Sequence, residues 1–221
     1  MPKSDVSFAR PDLLVVGQIS RDILIFDGRA EPVAAGGAVY YSAFAAAHAG
    51  VRLLCLPKLA AVDYALLGPM WAQGLALLPV YSRQTTTMQD IFERQTNYAR
   101  RSRVLGLASP FSADEIPVPE AEIFHLAGLL HGEFPEALMA QLAACGRLAL
   151  DAQSVLRHLE GEEVVERDWP LKERCLPMVS FLKADLGEAR LLTGEGTVEG
   201  ALERLHRWGV REAMITEDRG V

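Results

Sequence analysis

The residues whose types could do chemistry recur at one kind of place, just after short apolar runs. The run 13–16 ends at Gly17, and Ser20 and Asp22 follow it. Ala127 and Gly128 follow the run 123–126, and Asp151 follows 147–150 with Gln153 close behind. Lys183 and Asp185 follow 179–182, with Glu188 one helical turn further on, and Thr216, Glu217 and Asp218 follow 213–215. Carboxylates there suit hydrogen bonding to hydroxyl groups and taking up a hydroxyl proton. The pair Gly36-Gly37 precedes an alanine-rich stretch. Two glycines at that point let a ligand approach the backbone and bare helix N-terminal amides. Turns are polar for local reasons, and that reading competes with a functional one at each single position.

The elements that must position these residues follow from the pattern between them. The apolar runs 13–16, 51–56, 123–126, 147–150, 179–182 and 213–215 suit buried strands. The intervening segments have helical character. Residues 39–49 stop at Gly50, 133–145 space Leu138, Met139, Leu142 and Ala143 helically and stop at Gly146, and 185–192 and 198–208 behave likewise. Alternating β and α units predict a parallel sheet with helices on both faces, and ligands then bind outside the carboxyl ends of the strands. Two stretches break the alternation. Residues 23–26 follow the first strand almost at once and turn at Asp27-Gly28. Residues 85–104 are polar and β-branched, and alternation puts Met88, Phe92 and Tyr98 on one face with Thr86 and Thr96. That pattern reads either as a small sheet standing beside the main one as a lid or as a surface hairpin.

Composition excludes several classes. The chain has 221 residues, 50% hydrophobic and 23% charged, with a net charge of −7. It is too apolar for a disordered chain. Its pI of about 5.3 lacks the basic footprint of a nucleic-acid binder, but leaves a nucleotide ligand open. Cys55, Cys145 and Cys175 are too few and too widely spaced for a disulfide framework or a metal clip. No signal peptide and no membrane-spanning stretch is evident, which predicts a soluble cytoplasmic protein. No G-x-G-x-x-G follows the first run, and no P-loop or G-x-S-x-G elbow occurs. The histidines form no ligand pattern, and His125 reads as a core or rim residue. Arg100, Arg101 and Arg103 read as an anion-attracting cluster or as a solvated face.

Several of these stretches, in order, resemble the ribokinase-like (PfkB) carbohydrate kinase family. LLVVGQISRDILI is similar to its first strand, glycine and substrate-binding aspartate, which falls on Asp22. AAGGAVYYSAFAAAHAGV is similar to its glycine pair and following helix. SFLKADLGEARLLTG is similar to its strand, N-x-x-E motif and Leu-Thr-Gly ending. ALDAQSVLR and FLKAD are close to plant-type inositol kinases of that family. The resemblance implies an α/β fold, a ribokinase-like three-layer sandwich with a central mainly parallel sheet and a small β lid. Residues 1–221 would form an incomplete ribokinase-like domain with lid strands near 23–34 and 85–104.

The resemblance also implies transfer of a phosphoryl group from ATP, with Mg²⁺, to a sugar or cyclitol hydroxyl. Asp22, Gly36, Gly37, Tyr41 and Gln153 would hold the substrate. Lys183, Asp185, Glu188, Thr216, Asp218 and Gly220 would lie along the nucleotide, with Glu188 reaching Mg²⁺ through water. The sequence departs from the family at Tyr41 and Asp185, where the family has asparagine, and at Asp218, where it has glycine. The family's G-A-G-D motif, which carries the catalytic base, does not occur before Val221. The expectation is therefore a truncated kinase with no catalytic residue in this chain and little activity alone. A non-catalytic polyol- or nucleoside-binding relative acting through a partner, and a nucleoside kinase of the same superfamily, are the alternatives. The expected partners are a small sugar or cyclitol, with no nucleic acid and no membrane, and a second copy of the chain docking through the lid.

Overall fold

The computed structural model describes residues 10–116 and 121–217. In chain order the strands are β1 (Leu13–Gln18), β2 (Ser20–Phe26), β3 (Arg29–Ala30), β4 (Ala34–Gly36), β5 (Leu53–Leu59), β6 (Val80–Tyr81), β7 (Thr86–Phe92), β8 (Arg101–Gly106), β9 (Ile123–Leu126), β10 (Arg147–Asp151), β11 (Arg157–Glu160), β12 (Glu163–Glu166), β13 (Val179–Asp185) and β14 (Glu212–Thr216). The helices are α1 (Ala38–His48), α2 (Gly68–Ala72), α3 (Glu136–Cys145), α4 (Gln153–Leu156), α5 (Lys172–Cys175), α6 (Leu186–Thr193) and α7 (Val198–Arg207). None of the described helices is long and apolar enough to cross a membrane.

The main sheet has the order β14-β13-β10-β9-β1-β5-β6 and every pairing in it is parallel. The period of two along each strand divides its side chains between two faces. Leu14, Val16, Leu54, Leu56, Phe124, Leu126, Leu148, Leu150 and Leu182 form one face. They pack with Leu138, Met139 and Leu142 of α3, Ala189 and Leu192 of α6, and Ala201 and Leu205 of α7. Each of the leucine, valine, phenylalanine and methionine side chains among them, fully buried, stabilises the fold by roughly 1.5–3 kcal/mol. On the opposite face Val15 and Cys55 pack against Val39 and Ala43 of α1 and Met70 of α2. Further along that face His125, Ala149 and Phe181 are only part-buried, and Met214 is 59% exposed.

The second sheet has the order β11-β12-β8-β7-β2-β3, with β4 paired to β2. The chain enters it abruptly. β1 ends at Gln18 and β2 begins at Ser20, so Ile19 alone joins the two sheets. Polar, alternating strands suit a sheet with one wet face, and this explains why residues 85–104 read as extended. Asp27 and Gly28 both have positive φ, 45° and 80°, and close the β2–β3 hairpin by a two-residue turn. β2 and β7 run parallel in register, which brings Phe26 onto Phe92 at 4.9 Å between ring centres.

The structure corrects the sequence reading at three points. β1 does not stop at Gly17 but runs on through Gln18, because Gly17 still pairs with Pro57. Tyr98 and Thr96 do not share a strand face with Met88 and Phe92. Residues Arg94–Thr96 form a 3-10 turn, and Asn97 and Tyr98 take left-handed backbone. The sequence carries no signal for the β11–β12 hairpin: RHLE and EVVE are short and charged.

Candidate active site between the sheets

A cleft of about 310 Å³ opens between the main and second sheets, where the carboxyl ends of β10 and β13 meet β2 and β7. It gathers five of the residues expected to bind ligands: Asp22, Gly37, Tyr41, Gln153 and Lys183. Asp22 stands on β2 and accepts a hydrogen bond from Ser20 Oγ at 2.6 Å. Burial raises its pKa from the ordinary carboxylate value; the Ser20 hydroxyl opposes this, Asp90 adds to it and Arg100 offsets it.

The glycine pair is explained by Asp22 and by α1. A Cβ on Gly36 would fall on the Asp22 carboxylate, so only glycine lets that carboxylate lie against β4. Gly37 has φ 103°, and a Cβ there would press on the Gln18 carbonyl. It caps α1 without a side-chain hydrogen bond, and with Ala38, Tyr41 and Ser42 it brings the start of that helix to the cleft. Tyr41 is 62% exposed, with its hydroxyl pKa raised by partial burial and by the Asp22 charge.

Gln153 lines the cleft while its Nε2 donates to the Gly128 carbonyl at 2.8 Å. Asp151 lines it too, with its Oδ2 3.5 Å from His125 Nε2. His125 is thus a rim residue of the part-covered face.

Cations enter from the second sheet. Arg100 lies with its Nε 3.9 Å from Asp90 Oδ1, and Ser102 Oγ also donates to that oxygen. Arg157, at the start of β11, faces the same cleft. Burial and the charge of Arg100 pull its pKa down, and Glu188, Glu166 and Asp185 act the other way. The arginine cluster divides: Arg100 turns to the cleft, whereas Arg101 and Arg103 pair with Glu163 and Glu162 of the hairpin. Nothing in the local sequence marks Asp90 or Arg157. Both lie on strands whose polar residues look solvated until the second sheet is folded over the first.

A second depression, about 540 Å³, is lined by Glu166, Asp185, Leu186, Gly187, Arg190, Thr216 and Glu217. Asp185 and Thr216, expected beside the nucleotide, meet here because they are register partners at the ends of β13 and β14. Lys183 lines the first cleft instead, with Nζ 3.9 Å from Glu188 Oε2. Asp185 and Glu188 form a reciprocal cap at the start of α6. Glu188 N donates to Asp185 Oδ1 at 2.7 Å, and Asp185 N donates to Glu188 Oε2 at 2.8 Å. Glu188 is buried, which raises its pKa. Asp218 and Gly220 lie outside the described residues. Among the described residues no group of three or more His, Cys, Asp or Glu is arranged to enclose a metal ion.

Beneath the cleft a buried polar network joins the two sheets. Glu133, 3% exposed, accepts from Gln18 N at 2.7 Å through Oε1 and from Leu129 N at 2.8 Å through Oε2. The Gln18 side chain accepts from Thr86 Oγ1 and donates to the carbonyl of Ala108 at 3.3 Å. Lys58, fully buried, donates to the Pro110 carbonyl at 2.7 Å and pairs with Glu115 at 2.8 Å. No local sequence signal marks Glu133, whose partners are 115 residues away at Gln18 and four away at Leu129.

The parallel sheet with its flanking helices and adjoining second sheet is the ribokinase-like fold. The chain resembles the ribokinase (PfkB) family, and several of the proteins it matches are kinases. No family model matches the sequence. It is 27% identical over 221 residues to a cytidine kinase of Thermococcus kodakarensis, covering 95% of this chain and 74% of that protein. A pyrophosphate-dependent kinase of the ribokinase family, solved with sulfate, matches with a TM-score of 0.86 and 28% identity over 92% of this chain and 72% of its own. A pyrophosphate-dependent kinase of the family complexed with a pyrophosphate analogue and myo-inositol matches at 0.84, with 28% identity over 93% and 72%. The ribokinase of Arabidopsis thaliana, complexed with ribose and ATP, shares the fold at a TM-score of 0.67 and 18% identity over 94% of this chain and 72% of its own.

Proposed function

We propose that this chain carries the acceptor and donor sites of a kinase that phosphorylates a hydroxyl of a sugar or cyclitol. The observation that carries this reading is Asp22. Its carboxylate is fixed by Ser20, seated against Gly36 and open to a cleft of about 310 Å³. A carboxylate held this way accepts hydrogen bonds from two vicinal hydroxyls at once. Gln153 and Asp151 supply further polar contacts, and the Tyr41 ring offers a flat apolar wall to a sugar or cyclitol ring. The second sheet then acts as a lid that keeps water from the reacting oxygen.

The donor lies along the depression between β13, β14 and α6. It is ATP or inorganic pyrophosphate. In the reaction the acceptor oxygen gains a bond to phosphorus as the donor's bridging P–O bond breaks. Nucleoside diphosphate or phosphate leaves, and the hydroxyl proton is released to solvent. Mg²⁺ takes only one or two protein carboxylates when phosphate oxygens and water complete its shell; Asp185 on the wall of the depression would supply one, and Glu188 beside it would reach the ion through water. When bound it neutralises phosphate charge. The residues of this chain bind, orient and shield the reactants, which is most of what phosphoryl transfer asks of a protein.

A nucleoside acceptor is a second reading, favoured by the cytidine kinase relative and by the exposed Tyr41 ring, on which a base would stack. A melting-temperature panel separates the two. A ligand of the native state raises the melting temperature by mass action. The cyclitol reading expects a rise with myo-inositol or ribose and none with cytidine. A rise with cytidine alone would replace it.

A further inference from the structure

Arg157 is unlike the other cations of the site. Among the described residues Arg101, Arg103 and Arg167 of the second sheet each face a carboxylate of the β11–β12 hairpin. Arg100 has Asp90, and Lys183 has Glu188, each at 3.9 Å. The Arg157 guanidinium has no counter-ion or side-chain hydrogen bond among the described residues, and its side chain is part-buried on the cleft wall. Taking a charge partly out of water without a partner costs free energy, and a ligand that supplies the partner offsets that cost.

Its position defines the ligand. Arg157 lines the acceptor cleft together with Lys183, Asp22 and Tyr41. Its neighbour across the β11–β12 ladder, Glu166, lines the donor depression. Arg157 therefore stands at the junction of the two hollows. The hairpin fixes it there: Arg157 pairs with Glu166 in the β11–β12 register, and its carbonyl accepts from His131 N at 2.7 Å. A planar guanidinium beside an ammonium is a good receptor for a tetrahedral oxyanion.

Resting on the kinase reading above, we propose that Arg157, with Lys183 as its companion, binds the oxygens of the phosphoryl group in transit between donor and acceptor. The group arrives attached to the leaving oxygen of the donor and departs attached to the acceptor oxygen. Arg157 stays on its non-bridging oxygens throughout, so it binds charge that both donors share. It would be a catalytic residue of this chain, supplied by the second sheet. Closing that sheet on the main one would complete the site.

The test is calorimetry with the full natural protein, its Arg157→Ala and Arg157→Lys variants, and two kinds of probe. Mg²⁺ with methylenediphosphonate reports a pyrophosphate-type donor, and Mg²⁺ with the methylene analogue of ATP reports a nucleotide donor. Myo-inositol, ribose and cytidine report the acceptor. For whichever donor analogue binds, the expected result is affinity weakened about tenfold or more in Arg157→Ala and partly regained in Arg157→Lys. Acceptor affinity and melting temperature would stay within about twofold and a degree or two of the parent. If the parent turns over, kcat would fall far more than acceptor KM rises. Equal donor affinity in all three proteins, or loss of acceptor affinity with donor affinity intact, overturns the role of Arg157 and leaves the kinase reading standing. A parent that binds no acceptor and neither donor analogue overturns both.

Discussion

Glu133 should make the stability of this protein fall as the solution is brought from mildly acidic to neutral pH. Its carboxyl is buried under the joint between the sheets, and burial raises its pKa from 4.5 to about 7 despite hydrogen bonds from the backbone of Leu129, Gln18 and Leu130 and the charge of Lys58. The folded state thus holds this proton more tightly than the unfolded chain does. The stabilisation is fully present below pH 4.5 and is lost as pH rises through 7. The interval corresponds to about 3 kcal/mol, with a slope of about 1.4 kcal/mol per pH unit inside it. Urea unfolding of the parent and of Glu133→Gln, repeated from pH 4.5 to 8, reads it directly. The variant loses one hydrogen-bond acceptor at all pH values, so its stability is offset; the slope is the test. The parent should lose about 3 kcal/mol relative to the variant across the interval. A difference that is flat with pH, or that grows in the parent's favour, would refute the assignment. Other carboxylates cancel, because both proteins share them.

The same reasoning extends to other sites. Gly36→Ala places a Cβ on the Asp22 carboxylate, and calorimetry should find acceptor binding weakened about tenfold or more with the fold retained. Glu115→Gln leaves the fully buried Lys58 ammonium without its counter-ion and should cost about 3–5 kcal/mol in urea unfolding. Asp185→Ala removes one half of the reciprocal cap on α6 and should cost about 0.5–2 kcal/mol, measured the same way.

Six of the main sheet's seven strands were legible because each carries a short apolar-rich run, whereas β6, two residues long, carries none. The strand-exit rule then pointed to Asp22, Gln153 and Lys183, and these do meet in one cleft. Gly36 and Gly37 were legible as a flexible pair. That Gly36 serves the Asp22 carboxylate depends on the antiparallel β2–β4 pairing, a contact between residues far enough apart that no local pattern encodes it. Arg157 and Asp90 escaped notice for a different reason. On a sheet with one wet face a charged residue is the default, and only the closing of a second surface over it turns it into a site residue. Glu133 escaped because burial, not sequence neighbourhood, sets its character.

The measurement that bears most directly on a sugar or cyclitol acceptor held by Asp22 is a calorimetric titration of myo-inositol, ribose and cytidine into the protein and into Asp22→Asn. The account predicts one-to-one binding of a sugar or cyclitol, weakened about tenfold or more by the substitution because a charge-assisted hydrogen bond is lost. Binding of cytidine alone, or polyol binding that Asp22→Asn leaves unchanged, would contradict it.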